Sequence, residues 1–159
     1  MAATALRQMK LGTDELAAVG GLLDSDDPKI RQLAVQILII NRKSDESERL
    51  KQLLRDRKYL VEALVSSLGS SEEDVRRESA VALGLLKERA STAVTALIKT
   101  LTDRKEPVRI VAIQALGQIG VASPDVLKAL QRRISRRPSA VSDAAKAAVE
   151  QLKTAQKKK

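Results

Sequence analysis

The sequence contains no cysteine, histidine, phenylalanine or tryptophan, and its one aromatic residue is Tyr59. Without cysteine or histidine the chain has no disulfide framework, no thiolate nucleophile, no imidazole base and no ordinary zinc site. The apolar residues are therefore mainly Ala, Leu, Val and Ile, which favour close helix packing over a β-sandwich or barrel. These absences predict an all-α protein and remove most catalytic chemistry.

Long apolar runs are also missing from the sequence. The most nearly continuous one, at residues 33–40, falls far short of the roughly 20 residues that span a bilayer. Residues 1–10 lack the apolar region of a signal peptide. We therefore expect a cytoplasmic protein that has no membrane partner.

Positive charge is abundant but unevenly placed. The formal charge of the chain is +9, and residues 128–159 hold ten basic against two acidic residues, whereas residues 1–127 are nearly balanced. Such a cluster suits an acidic protein or phosphate groups as partner. The basic residues concerned, which we name the basic set, are Lys128, Arg132, Arg133, Arg136, Arg137, Lys146 and Lys153.

One stretch, residues 107–120, recurs along the chain. Val108 aligns with Val75 and Val141 at a step of 33 residues, while Ile30 precedes Val75 by 33 plus a further 12 residues. A fixed step of this length is typical of repeat proteins, in which each unit buries a continuous seam against its neighbours. The sequence therefore predicts four stacked units.

Each unit contains two helical patterns. The first, which we name the A helix, has apolar residues at i, i+3, i+4 and i+7, as at Val94, Leu97, Ile98 and Leu101. The second, the B helix, begins near the aligned Val or Ile of each unit. The two patterns together predict an α-solenoid of about four helix pairs.

The unit boundaries follow from these patterns. We predict one repeat domain over residues 1–155 and a basic tail at 156–159. The additional residues of the long first step lie near 44–57 and carry leucines at helical spacing, which predicts an inserted helical segment. The repeats are expected at residues 13–42, 58–89, 91–121 and 123–155.

The B helices share a motif. A Val-Arg pair begins at Val75 and Val108, with Ile30 in the same place, and an Ala-Leu-Gly sequence follows seven residues after each valine. In this motif the chain resembles HEAT repeats, in particular the short form common in bacterial and archaeal proteins, the PBS-lyase type. The resemblance extends over roughly residues 13–155 and implies stacked helix pairs. It implies little about function, because such repeats are generic scaffolds.

The resemblance also implies a hydrogen-bonded Asp-Arg pair that stabilises the turn of a unit. In the third unit Asp103 and Arg109 occupy the two places. Ser25 and Ser70 replace the Asp in the first two units, and Ser142 replaces the Arg in the fourth. The resemblance therefore implies a complete pair in the third unit alone.

The B helices offer the first candidate binding surface. In stacked helix pairs they usually line the concave side. If Val108, Ala112 and Leu116 face the core, other residues point away from it and form a mildly apolar groove for a partner helix or peptide. The alternative is that these apolar residues pack between neighbouring B helices. The candidates, which we name the B-face set, are Gln32, Val35, Gln36, Arg77, Val81, Ile110, Ile113 and Gln114.

The basic set supports a second hypothesis, electrostatic contact with a nucleic-acid backbone. Its four arginines, at i, i+1, i+4 and i+5, are expected to cluster on one side of the fourth A helix and its exit. Aromatic stacking platforms are absent, so base-specific binding of a single strand is not expected. The alternative is that the end of a solenoid needs a polar, solubilising face.

Some enzymes are built on similar repeats, among them metal-dependent hydroxylases, bilin lyases and DNA glycosylases. The hydroxylases rely on His-Glu pairs, which a chain without histidine cannot supply. The glycosylases use aromatic residues and more repeats, and no lyase active-site motif matches the sequence. Lone carboxylates such as Glu62 and Glu78 are typical surface residues. We therefore predict a monomeric, non-catalytic protein without cofactor or metal, whose partner is another protein, with nucleic acid as the alternative.

Overall fold

The computed structural model describes residues 12–40 and 59–157 of the chain. Within these ranges the regular structure consists of eight α-helices and two 3-10 segments, Leu22–Asp24 and Lys87–Ala93. The insertion predicted near 44–57 lies outside the described residues. The α-helices are α1 Thr13–Gly21, α2 Pro28–Ile40, α3 Leu60–Ser67, α4 Glu73–Leu85, α5 Val94–Thr100, α6 Glu106–Ile119, α7 Pro124–Gln131 and α8 Ala140–Gln156.

Odd-numbered and even-numbered helices alternate as the predicted A and B helices. Each B helix contacts the A helix that precedes it, and α4 and α8 both lie along α6. Helix α2 contacts α4 much less and packs mainly on α3. The predicted all-α solenoid of stacked helix pairs is therefore confirmed for the described part of the chain.

Aliphatic side chains from every unit form one continuous core. Val108, Ala112 and Leu116 of α6 are buried, as the helical pattern predicted. Each fully buried Leu or Ile stabilises the fold by about 1.5–3 kcal/mol relative to an exposed one. The largest fully buried side chains are Leu23, Leu38, Leu60, Leu64, Leu83, Leu97, Leu101, Ile113, Leu116, Ile119, Leu130 and Leu152.

Small residues let neighbouring B helices approach closely. A Cβ added at Gly84 of α4 would lie 3.0 Å from the Cα of Ala115 in α6. One unit later, a Cβ at Gly117 of α6 would lie 3.2 Å from the Cβ of Ala148 in α8. Both separations are tighter than ordinary van der Waals contact, so the packing favours glycine at these two positions. The same contact recurs after 33 residues, so α8 sits on α6 as α6 sits on α4.

Helix α8 closes the described stack and, at 17 residues, is its longest helix. Its N-cap is Ser139, whose hydroxyl oxygen accepts from the backbone N–H of Ser142 at 3.2 Å. The helix ends at Gln156, whose side-chain amide donates to the carbonyl of Ala122 at 3.2 Å. The first residue of the predicted tail thus belongs to the last helix. Across the described ranges, α8 included, no helix is long and apolar enough to cross a membrane.

Candidate interaction sites

The four A–B turns share a local hydrogen-bond pattern. At each turn one Ser or Asp side chain accepts from the backbone N–H two residues later, a bond that Ser and Asp form readily because their polar atoms lie close to the backbone. We name these four the turn residues. The donor–acceptor distances are 3.2 Å at Ser25, 3.2 Å at Ser70, 2.8 Å at Asp103 and 3.1 Å at Ser135.

The backbone carbonyl of each turn residue is also bound, in this case by the B helix of the same unit. The donor is an arginine in the first three units and a serine hydroxyl in the fourth, so each turn is fastened to its own B helix. The bonds measure 2.7 Å from Arg31 to Ser25, 2.9 Å from Arg76 to Ser70, 2.8 Å from Arg109 to Asp103 and 3.3 Å from Ser142 to Ser135.

The carboxylate of Asp103 binds Arg76 of the preceding unit. Nε of Arg76 donates to one carboxylate oxygen at 2.7 Å and Nη2 donates to the other at 3.0 Å. The implied pair inside the third unit is therefore wrong for this carboxylate, because Arg109 reaches only the backbone carbonyl of Asp103. The stacking of α4 on α6 brings Arg76 to the third turn, where its planar guanidinium matches the two oxygens.

Burial and charge make this bridge between units strong. The side chains of Arg76 and Asp103 are only 6% and 10% exposed. The hydrogen bond from Arg76 holds the pKa of Asp103 below its ordinary value, against the opposing effect of burial. The same bond raises the pKa of Arg76. Both groups are therefore charged at neutral pH.

Arg31 of the first unit finds other partners in the second unit. The turn residue of the second unit is Ser70, which carries no charge. The guanidinium of Arg31 lies 3.6 Å from the carboxylate of Glu62 and 4.6 Å from the ring centroid of Tyr59. The carboxylate and the aromatic face both attract a cation. Arg31 and Arg76 are thus each met by a partner from the following unit.

Arg109 of the third unit receives no acid from the following unit within the described residues. Its Nη1 donates to the carbonyl of Asp103, and its Nη2 lies 3.4 Å from Glu106 on its own helix. The next turn residue is Ser135. The Arg109 side chain is 25% exposed, against 6% for Arg76. Arg109 is therefore the open member of this series of arginines.

The structure divides the B-face set into buried and accessible members. Val35 and Ile113 are 2% and 0% exposed, so the prediction that they contact a partner was wrong. They belong to the core, because a B helix is covered both by its A helix and by adjoining helices, which widens its buried arc. The alternative, packing between helices, is correct for these two. The half-exposed or exposed members are Gln32, Gln36, Arg77, Val81, Ile110 and Gln114.

Four of the accessible residues come from the two B helices that lie side by side. Arg77 of α4 and Ile110 of α6 occupy equivalent positions one unit apart, and so do Val81 and Gln114. Arg77 lies 3.5 Å from Asp74 and 3.2 Å from Glu78, both on its own helix. This group, which we name the α4–α6 strip, combines aliphatic surface with polar groups.

The basic set is accessible except for Arg133, which is half-buried. Its four arginines lie in the turn that runs from residue 132, the C-cap of α7, to the N-cap Ser139. The four arginines therefore lie at the exit of the fourth A helix, as expected, and the prediction that the helix itself carries them is wrong. Helix α7 ends at Gln131. In the turn that follows, Ser135 and Ser139 accept hydrogen bonds from nearby backbone N–H groups, and Pro138 has no N–H that could continue a helix.

Several arginines of this turn lack protein partners in the described ranges. None of the ion pairs there involves Arg132, Arg136 or Arg137, and Nε of Arg133 is buried without a hydrogen-bond partner. Lys146 lies 3.3 Å from Asp143. The turn between α7 and α8 therefore presents guanidinium groups that an external anion could bind.

The Asp and Glu side chains of the described ranges do not gather into a metal-binding cluster. No group of three or more His, Cys, Asp or Glu in these ranges is placed to hold a metal ion. Glu62 pairs with Arg31 and Glu78 with Arg77, as expected of carboxylates in surface ion pairs.

Comparisons with known proteins agree with this architecture. A family model described as HEAT repeats matches residues 61–153, which is more than half of the chain. Among solved structures, an engineered protein is similar with a TM-score of 0.59 and 26% sequence identity, over 97% of this chain and 72% of its own. No match was found among curated proteins.

Two further solved structures share the fold at lower sequence identity. A designed armadillo repeat protein in complex with the peptide (KR)4 has a TM-score of 0.59 at 22% identity, over 95% of this chain and 74% of its own. Human deoxyhypusine hydroxylase, in complex with glycerol, has a TM-score of 0.56 at 18% identity, over 96% of this chain and 78% of its own. These similarities concern the fold.

Proposed function

Because this chain belongs to the HEAT-repeat family, we propose that it is a non-catalytic scaffold that binds a helix or extended peptide of another protein. Stacked helical repeats of this kind are typical of protein-interaction scaffolds, since their side-by-side helices present long surfaces of regular spacing. We further propose that the protein is a monomer and that it acts in the cytoplasm. The proposal includes no cofactor.

The observation that carries the proposal is the α4–α6 strip. Ile110 and Val81 leave aliphatic surface accessible on helices whose neighbouring positions are buried. Partly exposed aliphatic groups beside Arg77 and Gln114 can bury against an apolar partner residue and supply polar contacts at its edge. We therefore place the partner across α4 and α6.

The test changes the strip while leaving the core intact. Ile110→Asp places a charge where the partner is proposed to bury, so we expect at least a tenfold loss of partner captured from a lysate of the source cell. Thr95→Asp is the matched control, because it adds the same charge at an exposed position of α5, an A helix. Circular dichroism must show unchanged helicity in both variants. Equal capture by the two would contradict the proposed surface.

A second candidate function, electrostatic binding of a nucleic-acid backbone, is favoured by the exposed arginines of the basic set. The test is titration of a fluorescein-labelled DNA duplex at 50 mM and 200 mM salt. Reversal of three exposed charges should reduce both the affinity and its salt dependence, since each lost phosphate contact no longer releases counterions. The variant is Arg132→Glu, Arg136→Glu and Arg137→Glu combined. Affinity that is unchanged in this variant would contradict the second candidate.

A further inference from the structure

We propose that Arg109 and the turn between α7 and α8 form a site for one carboxylate side chain of an acidic protein segment. That carboxylate would take the place at Arg109 that Asp103 takes at Arg76. The inference rests on the proposed function, because it names the chemistry of part of the partner. It concerns a different surface from the α4–α6 strip, so the two can fail separately.

The site follows from the equivalence of two junctions. The Gly84–Ala115 contact between α4 and α6 recurs as the Gly117–Ala148 contact between α6 and α8. We infer from this recurrence that Arg109 faces the fourth turn as Arg76 faces the third. The turn residues Asp103 and Ser135 make the same two bonds, one from the N–H two residues later and one through their carbonyl. Ser135 thus occupies the place of the bridging acid.

The difference between the junctions is the missing carboxylate. A Ser side chain is two heavy atoms smaller than that of Asp and carries no charge, so it cannot accept two bonds from an arginine as Asp103 accepts them from Arg76. Arg31, whose following turn residue is also a serine, is approached by Glu62 and Tyr59, while its buried Nε has no hydrogen-bond partner among the described residues. Among the described residues, Glu106 is the one acid beside Arg109, at 3.4 Å and on an exposed side chain of its own helix. An external acid would complete the bonding of Arg109.

A carboxylate is proposed over a chain of phosphates because a carboxylate is the group that Arg76 binds at the equivalent junction. The fork of Nε and Nη2 that grips Asp103 matches the two oxygens of one carboxylate. Arg136 and Arg137 stand exposed on the same turn without ion pairs in the described ranges. They would attract acidic residues next to the bound one, at distances where exposed charges act mainly on the association rate.

The main experiment places an acidic side chain of the protein itself in the proposed site. Ser135→Asp gives the fourth turn the acid that the third turn has in Asp103. Ser135→Asn has the same shape as that acid without the charge. The probe is a fluorescein-labelled penta-aspartate peptide, followed by anisotropy at low salt. We expect Ser135→Asp to weaken binding about tenfold, as loss of one charge-assisted hydrogen bond would. The Ser135→Asn protein should bind within about twofold of the wild type.

Two further variants separate the site from general charge effects. Gln131→Glu adds the same negative charge at the exposed end of α7 and should weaken binding far less than Ser135→Asp. Arg109→Gln, which removes the proposed ligand of the carboxylate, should weaken binding about tenfold. Heat unfolding of the Ser135→Asp protein should show a raised midpoint, which reports that the new acid reaches Arg109.

Three outcomes would overturn the inference. The first is unchanged peptide affinity in Ser135→Asp or Arg109→Gln. The second is an equal loss in Gln131→Glu and Ser135→Asp, which would indicate a diffuse charge effect. The third is binding of a DNA duplex but not of penta-aspartate, which would favour phosphates. The Ile110→Asp test of the α4–α6 strip is independent of all three.

Discussion

The junction of α4 with α6 and that of α6 with α8 are alike in their helices and unlike in their turns. In both, a glycine of one B helix receives an alanine of the next. In the first, a buried acid bridges the units, and in the second a serine leaves Arg109 25% exposed. At the contact between two B helices only small side chains fit, because closely packed helices leave no free volume. The turns lie at the surface and can vary.

The largest predicted effect breaks the core that both junctions share. Leu116 of α6 is 1% exposed, and Leu116→Ala should lower the free energy of unfolding by about 2–5 kcal/mol through lost burial and the cavity left behind. Urea unfolding followed by circular dichroism measures the change. The control is Gln114→Ala on the exposed side of the same helix, expected within about 0.5 kcal/mol of wild type. A cost below about 1 kcal/mol for Leu116→Ala would contradict the assigned core face.

The second prediction distinguishes the two glycine contacts. A Cβ at position 84 meets backbone of α6 at 3.0 Å, so Gly84→Ala should force the helices apart and destabilise by about 1–3 kcal/mol. At both positions the nearest atom belongs to a flexible glutamine side chain, Gln118 for position 84 and Gln151 for position 117, and the α8 backbone lies 3.3 Å from a Cβ at position 117. The better helix propensity of Ala, about 1 kcal/mol, applies at both positions and offsets most of the milder crowding at position 117.

Urea unfolding of the two Gly→Ala proteins side by side tests this difference. We expect Gly117→Ala within about 1 kcal/mol of the wild type and less destabilised than Gly84→Ala. Equal destabilisation would indicate that the two junctions are equally tight. The wild-type chain and the Gln114→Ala protein serve as references on the same helices.

The third prediction concerns the Arg76–Asp103 bridge at the junction of α4 with α6. Asp103→Asn removes a charge-assisted pair, and we expect a loss of about 1.5–3 kcal/mol at pH 7. The pKa of Asp103 is lower in the folded than in the unfolded chain. Its contribution is therefore complete above the unfolded pKa of about 3.9 and disappears as the pH falls through the folded value.

Measurement of unfolding in urea between pH 7 and pH 2 checks this sign. The difference between wild type and Asp103→Asn should shrink as the pH falls, because the protonated wild-type acid no longer carries the charge. A difference that stays constant over the range would indicate that the Arg76–Asp103 bond contributes through packing and not through charge. Ser135→Asn places the same amide at the junction of α6 with α8, which has no bridging acid. The effect of that change on stability is not expected to show a comparable pH dependence.

The helix pairs and most of the core could be predicted from the sequence, because apolar periodicity and a constant step act locally and repeat. Val108 and Leu116 follow that pattern and are buried. Ile113 does not, since its burial comes from contact with other helices. A single helical pattern cannot show how many sides of a helix are covered.

The partner of Asp103 could not be predicted for a similar reason. Sequence spacing brings Asp103 close to Arg109, whereas its carboxylate binds Arg76, 27 residues earlier, across the junction. That pairing depends on how far one unit is translated over the next, which no local pattern contains. The early end of α7 was missed because three turn signals, Ser135, Pro138 and Ser139, outweighed the helical spacing of the arginines.

The recurring glycine–alanine contact makes the length of this protein adjustable. Because Gly84–Ala115 and Gly117–Ala148 are the same contact one unit apart, duplication of residues 85–117 would add a unit without creating a new kind of helix interface. Each copy of the third turn would bring an acid for the arginine before it. However long such a chain became, its exposed arginine would stay at the last junction.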